Sequence, residues 1–312
     1  MSLALLFPGQ GTQHAAMLPW LGQDCPPLVA LQRLQQALGA DWRERCNSSS
    51  NHNMAWATGN AVAQSLITGL SLAAWEQLQA LLPLPAVVAG YSVGELAAFS
   101  VAGVFAASVA QNLACLRARV MDDCVQGHDT GLLSVSGAAP GLIDQLCSRH
   151  DLAVAICLGP DRVVLGGLTQ ALVEAGVAAA AAGSTVTPLA VAIASHTDWL
   201  KAGVPVLAAA LESIAFARPT ATLVCNHSAT ALRRPADLRQ ALAGQIASTV
   251  RWDQCMQAVA ERGPTCVLEV GPGTTLARMW NARYPHIPAR SLDDFQQARA
   301  VAAWVAQTLA GR

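Results

Sequence analysis

The chain has 312 residues, 53% hydrophobic but only 12% charged, and its 19 basic and 20 acidic side chains leave a net charge of −1, which fits one large globular domain or a domain with an inset. That composition excludes a disordered chain, which is poor in apolar residues and rich in charge, and the single lysine, Lys201, gives no clustered basic surface for nucleic acid. The mean hydropathy of +0.36 is carried largely by alanine, and the richest apolar stretch, around 172–194, is broken by Glu174, Ser184, Thr185 and Pro188, so no membrane span is expected.

Leu3–Phe7 is a short apolar run stopped by Pro8-Gly9-Gln10-Gly11, a buried strand entering a tight loop, and it lacks the basic flank of a signal peptide. Helical patterns follow at about 27–38 and 54–79, the second ending before Pro83 and Pro85. Ala86–Ala89 reads as a short strand that enters Gly90-Tyr91-Ser92-Val93-Gly94 and leaves as a helix beginning near Glu95; another helix covers about 108–126. From about 131 the texture changes. Short strands at 131–136, 152–158, 162–167 and 184–193 are separated by helices at 141–150 and 169–182, and the order βαββαβ is that of a ferredoxin-like unit. Strands at Leu223–Asn226 and Cys266–Val270 follow, with a last helix at about 294–310. The expected fold is α/β: a large α/β-hydrolase-like domain of residues 1–128 and 194–312, with a ferredoxin-like inset at 129–193. Nine cysteines form no C-x-x-C pair and no Cys/His cluster at zinc spacing, which points to free thiols in a reducing cytoplasm and to no metal site.

The strongest chemical signal is the strand, sharp turn and helix around Gly90-Tyr91-Ser92-Val93-Gly94. In a G-x-S-x-G elbow the serine sits on a strained corner, the glycines permit close backbone approach, and the following helix aims its free N–H groups at the site. A serine hydroxyl is a poor nucleophile until a base takes its proton, so a histidine must come from elsewhere in the chain. His14, His52, His128, His150, His227 and His286 lie in polar or loop-like contexts. His196 differs, because it follows the apolar run Leu189–Ile193 and the small residues Ala194 and Ser195.

Phe7-Pro8-Gly9-Gln10-Gly11-Thr12-Gln13, Gly90-Tyr91-Ser92-Val93-Gly94-Glu95, Leu116-Arg117, Ala194-Ser195-His196 and Glu269-Val270-Gly271-Pro272-Gly273 stand in the order and spacing of another set of enzymes. The chain resembles the malonyl-CoA:acyl-carrier-protein transacylases over nearly its whole length. That resemblance implies Ser92 as the nucleophile, His196 as its base, the backbone N–H groups of Gln10 and Val93 as an oxyanion hole, and Arg117 as the grip on the malonyl carboxylate. It implies a malonyl-CoA donor, an acceptor thiol on the prosthetic group of an acyl-carrier protein, and no bound cofactor.

Departures from the family pattern carry information too. Tyr91 stands where the family usually has histidine, a form that resembles the epsilon subunit of malonate decarboxylase, so other subunits of that complex are expected partners. Leu158-Gly159-Pro160 replaces Asn-Ser-Pro, and Arg251-Trp252 replaces the Gln-Trp pair whose first carbonyl orients the base, which makes Arg251 the expected base-orienting residue. Gln64, followed by Ser65 rather than proline, is expected to line the pocket with Tyr91, and Ser195 to border the acyl group. A fatty-acid or polyketide transacylase is the alternative within the family. A serine hydrolase or an inactive carrier-docking subunit are the readings from other classes; water deacylating the enzyme as fast as a thiol would favour the former, and full activity without Ser92 the latter.

Overall fold

A computed structural model describes residues 2–47 and 56–311; His52 and the first two residues of the helical pattern expected at 54–79 lie outside the described residues. The strands in chain order are β1 (Leu3–Phe7), β2 (Val87–Gly90), β3 (Thr130–Ser136), β4 (Ala153–Gly159), β5 (Arg162–Leu168), β6 (Thr185–Pro188), β7 (Thr222–Cys225), β8 (Thr230–Leu232), β9 (Val250–Arg251), β10 (Cys266–Glu269) and β11 (Ala289–Ser291). They form two sheets. The larger has the order β11-β10-β1-β2-β7-β8, parallel throughout except for the final β7–β8 hairpin. Every residue of β1, β2 and β10 is buried, as expected of parallel strands covered on both faces. In such sheets, sites collect where the carboxyl ends of the strands open into loops. Here the register pairs Phe7 with Gly90 and Leu6 with both Ala89 and Glu269, so the loops after Phe7, Gly90 and Glu269 emerge side by side.

The smaller sheet has the order β6-β3-β5-β4-β9, and its first four strands carry two helices, Leu142–His150 and Thr169–Ala181, on one face. This is the ferredoxin-like unit in the expected βαββαβ order. Its other face, with Leu132, Ile156 and Val164, joins the core that Trp252, Cys255 and Met256 form against Leu6, Val87 and Ala89 of the large sheet. Two features differ from expectation. The last inset strand ends at Pro188 rather than at 193, since the chain must leave the sheet to carry residues 189–195 down to His196. The two-residue strand β9 adds to β4 in parallel, Ile156 opposite Val250, and is too short to show a period of two in the sequence.

Two helices frame the site. Asn60–Leu78 is buried on nearly every side, the signature of a central helix rather than a surface one. Ala107–Cys124 buries Ala110, Leu113, Ala114, Arg117, Ala118 and Met121, a stripe at helical spacing with one guanidinium set into it. No helix among the described residues is long and apolar enough to cross a membrane.

Candidate active site

Ser92 occupies the turn between β2 and the helix Gly94–Val101 with φ +54, a left-handed conformation that a side-chain-bearing residue adopts only at a cost. Two glycines make the turn possible. A Cβ at Gly90 would overlap the backbone of Glu95, and one at Gly94 would overlap the carbonyl oxygen of Phe7. Gly9 brings the opposing loop equally close, since a Cβ there would stand 2.7 Å from the carbonyl oxygen of Tyr91. The Ser92 N–H donates to Asn226 Oδ1 at 2.9 Å, while Asn226 Nδ2 donates to Gly90 O at 2.6 Å. Among the described residues no acceptor engages the backbone N–H of Gln10 or of Val93. Both remain available to an incoming oxygen.

The Ser92 hydroxyl lies 2.7 Å from His196 Nε2, and His196 Nδ1 lies 2.8 Å from the carbonyl oxygen of Gln245. A carbonyl only accepts, so Nδ1 carries the hydrogen and Nε2 presents its lone pair to the serine. His196 is 1% exposed and Ser92 8%. Burial, followed by the positive charge of Arg117, pushes the imidazole down to about 3 against the opposing pull of the Gln245 carbonyl, so the ring is neutral at physiological pH. The geometry corrects the expectation for Arg251. The carbonyl that holds the ring belongs to Gln245; Arg251 is exposed on β9, in register with Cys157. The helix Pro235–Gly244 and the turn Gln245–Ala247 present this segment to His196, whose own N–H donates to Ile246 O at 2.7 Å.

Arg117 is 3% exposed and has no carboxylate within salt-bridge distance among the described residues. Its two terminal nitrogens donate instead to two amide oxygens at 2.8 Å, Nη1 to Gln64 Oε1 and Nη2 to Gln245 Oε1. Gln64 Nε2 donates to Asn60 Oδ1, which also accepts from Gln10 Nε2. Gln245 Nε2 in turn donates to Ser92 O at 2.7 Å and to Glu95 Oε2 at 2.9 Å. One continuous polar network thus joins the loop after β1, the elbow, Arg117 and the histidine. Burial pushes Arg117 down to about 10, with Glu95 partly restoring it, and burial pushes Glu95 up to about 8 against its bonds to Asn226 and Gln245 and the charge of Arg117. The site combines a serine–imidazole pair, two free backbone donors and a buried cation with only neutral partners. That set suits acyl transfer to and from a serine on an anionic substrate.

Of the other expected residues, Ser195 is buried beside His196, and Tyr91 packs edge-on against Trp252 with ring centroids 5.1 Å apart at 85°. The Tyr91 ring belongs to the core beneath the inset, and burial pushes its phenol up. Gln245, Asn226 and Glu95 complete the site, and sequence reasoning did not assign them roles. For Gln245 a signal existed: it continues the apolar positions Leu238, Ala241 and Leu242 at helical spacing, where an amide needs a partner. A cavity of about 710 Å³ lies along the inset between Thr58-Gly59, the Thr169–Ala181 helix and residues 186–192; neither Ser92 nor His196 lines it.

Residues 4–306 match the family described as the acyl transferase domain. The malonyl CoA-acyl carrier protein transacylase of Mycobacterium tuberculosis is 33% identical over 294 residues, covering 93% of this chain and 96% of that one. Among solved structures, the acyl-carrier-protein S-malonyltransferase of Burkholderia pseudomallei has a TM-score of 0.87 at 26% identity, over 97% of this chain and 100% of that one. A malonyl-transacylase in complex with its type II PKS acyl-carrier protein also has a TM-score of 0.87, at 27% identity and over 100% of both chains.

Proposed function

We propose that this chain, which belongs to the acyl transferase domain family, moves a malonyl group from malonyl-CoA through a Ser92 acyl-enzyme to the thiol of an acyl-carrier protein. The observation that carries the reading is the placement of the 2.7 Å Ser92–His196 pair beside a buried arginine whose terminal nitrogens are bonded to two neutral amides. Ser92 Oγ attacks the thioester carbon as Nε2 of His196 takes its proton, and the oxyanion so formed accepts from the N–H groups of Gln10 and Val93. The carbonyl re-forms, the C–S bond breaks, and His196 returns the proton to the departing coenzyme A thiolate. In the second half the carrier thiol gives its proton to His196 and attacks the acyl carbon, and Ser92 leaves with that proton. Preorganised donors aimed at the developing charge are worth roughly 3–4 kcal/mol each. Arg117 holds the free carboxylate through both halves, Gln64 and Gln245 set its plane, and Ser195 borders the acyl group, whereas the Tyr91 ring, expected there, packs on Trp252 instead.

Intact-mass measurement tests the scheme: malonyl-CoA should leave a malonyl adduct on the protein that Ser92→Ala abolishes, and an adduct that persists in Ser92→Ala removes the serine from the mechanism. For the acceptor, the Gly-Tyr-Ser-Val-Gly-Glu sequence supports the carrier subunit of malonate decarboxylase, with that complex's other subunits as partners. The likeness to a transacylase bound to its type II PKS carrier supports a polyketide or fatty-acid carrier as the second reading. Discharge of the malonyl-enzyme to each carrier decides between them, and transfer to an ordinary carrier but not to the decarboxylase subunit overturns the first. Nine free cysteines support a cytoplasmic setting, and the first four strands of the smaller sheet, all between Thr130 and Pro188, support the division into residues 1–128 with 194–312 and an inset at 129–193, with β9 of the larger part added at the sheet's edge.

A further inference from the structure

Among the described residues Glu95 is the one acidic side chain bonded to the Gln245 amide that joins Ser92 to Arg117, the nearest other being Asp122 at the far side of Asn60, and the reaction scheme leaves Glu95 without a task. It is wholly buried. Its Oε1 accepts from the N–H of Asn226 at 2.7 Å and its Oε2 from Gln245 Nε2 at 2.9 Å. The same Gln245 amide accepts from Arg117 Nη2 at 2.8 Å through its oxygen. Carboxylate and guanidinium therefore stand at opposite ends of a single amide, close enough to act on each other electrostatically yet not joined as an ion pair. A buried cation can neutralise one anion well and two poorly, because each further charge must be stripped of water without a partner.

We propose that Glu95 and the malonyl carboxylate use Arg117 as a shared counter-ion, so that the acyl donor binds with uptake of a proton by Glu95. The inference rests on the malonyltransferase reading and goes beyond it by assigning Glu95, which acts through Arg117 and touches no substrate, the charge balance of the pocket. Burial already raises Glu95 to about 8, and an anion on Arg117 raises it further. The other groups facing Glu95 do not titrate between pH 7 and 9. Cys225 on β7 and Cys255 on the Trp252–Ala260 helix are held protonated by burial, His196 across Gln245 is held neutral, and Arg117 stays charged. The flanking strands β1 and β2 bring no ionisable side chain.

The test is calorimetric titration of the Ser92→Ala protein, which cannot be acylated at that residue, with malonyl-CoA and acetyl-CoA from pH 7 to 9 in pairs of buffers of different ionisation enthalpy. Malonyl-CoA affinity is expected to fall with rising pH, approaching tenfold per unit above about pH 8, with uptake growing toward one proton. Acetyl-CoA carries the same phosphates and no carboxylate, and it should bind with neither effect. Adding Glu95→Gln should make malonyl-CoA binding independent of pH. Malonyl-CoA binding without proton uptake overturns the inference, as does a pH dependence that survives Glu95→Gln. If that variant does not fold, the contrast between the two acyl donors decides alone. Failure of malonyl-CoA either to bind or to acylate the unaltered protein overturns the transferase reading and this inference together, whereas acylation without uptake overturns the inference only.

Discussion

Arg117→Ala tests whether the buried guanidinium selects the acyl group. Its terminal nitrogens donate to two neutral amide oxygens at 2.8 Å, so a bound malonyl carboxylate replaces or adds to bonds that already exist. Hydrogen bonds to charged groups are worth about 1.5–3 kcal/mol, and displacing the existing bonds of the guanidinium to Gln64 and Gln245 offsets part of two of them, so a two-pronged grip gains about 2–4 kcal/mol in all. At about 1.4 kcal/mol per tenfold, the variant should lose roughly 30- to 1000-fold in kcat/KM for malonyl-CoA. Acetyl-CoA makes no such contact. Its acylation rate should hold or rise, because the charge of Arg117 is, after burial, the second cause that depresses His196, and removing it strengthens the base. The variant also orphans Gln64 Oε1 and Gln245 Oε1, about 1–3 kcal/mol each, which appears in the thermal midpoint and not in the choice of donor. The assay is acyl-enzyme formation from both donors by rapid quench and intact mass. Equal losses for malonyl-CoA and acetyl-CoA in a folded variant would refute the carboxylate grip.

The shape of the elbow makes Gly94→Ala severe: its Cβ would press on the backbone of Phe7 and Pro8 and move the loop that carries Gln10, so acylation should fall more than about 100-fold with a lowered melting midpoint, and wild-type values for both would contradict the packing. Gln245→Ala keeps the carbonyl on His196 but removes the amide that links Arg117, Glu95 and Ser92 O, and should cost roughly tenfold or more in malonyl transfer. Arg251→Ala, in contrast, should leave the rate within about twofold, and a loss as large as that of Gln245→Ala would restore Arg251 to the site. Glu95 and Glu269, both raised to about 8 by burial, keep protons in the folded state that the unfolded chain releases above its ordinary carboxylate range. Their contribution is complete below about pH 4.5 and is lost as pH rises through 8, while that of neutral His196 is complete above about 6.5 and is lost as pH falls toward 3. Urea melts should accordingly weaken between pH 6.5 and 9, less so in Glu95→Gln, and a flat profile would contradict the burial of these carboxyls.

What the sequence made legible follows from how local each feature is. The elbow is five consecutive residues, and a Cβ at Gly90 would meet the backbone of Gly94 and Glu95 within the turn itself, so its chemistry could be read locally, although Gly94 answers to a distant contact, the close approach of Phe7 and Pro8. The βαββαβ inset was equally readable, because each strand and helix shows its own period and the antiparallel pairings β3–β5 and β4–β5 follow from the order. Gln245 was hidden for the opposite reason. Its function is to meet His196, 49 residues away, through a main-chain oxygen, and a carbonyl oxygen leaves no mark on residue type. The expectation for Arg251 took the pair beside Trp252 as a fixed offset, yet what brings a carbonyl to His196 is the end of the preceding helix at Gly244, not distance along the chain from a tryptophan. Only the side chain of Gln245 was open to selection by type, and its amide meets three demands that an apolar residue could not: an acceptor for Arg117 and donors for Ser92 O and Glu95. In a chain this poor in charge, an uncharged polar residue continuing an apolar stripe marks a buried site more sharply than the exposed arginine beside Trp252.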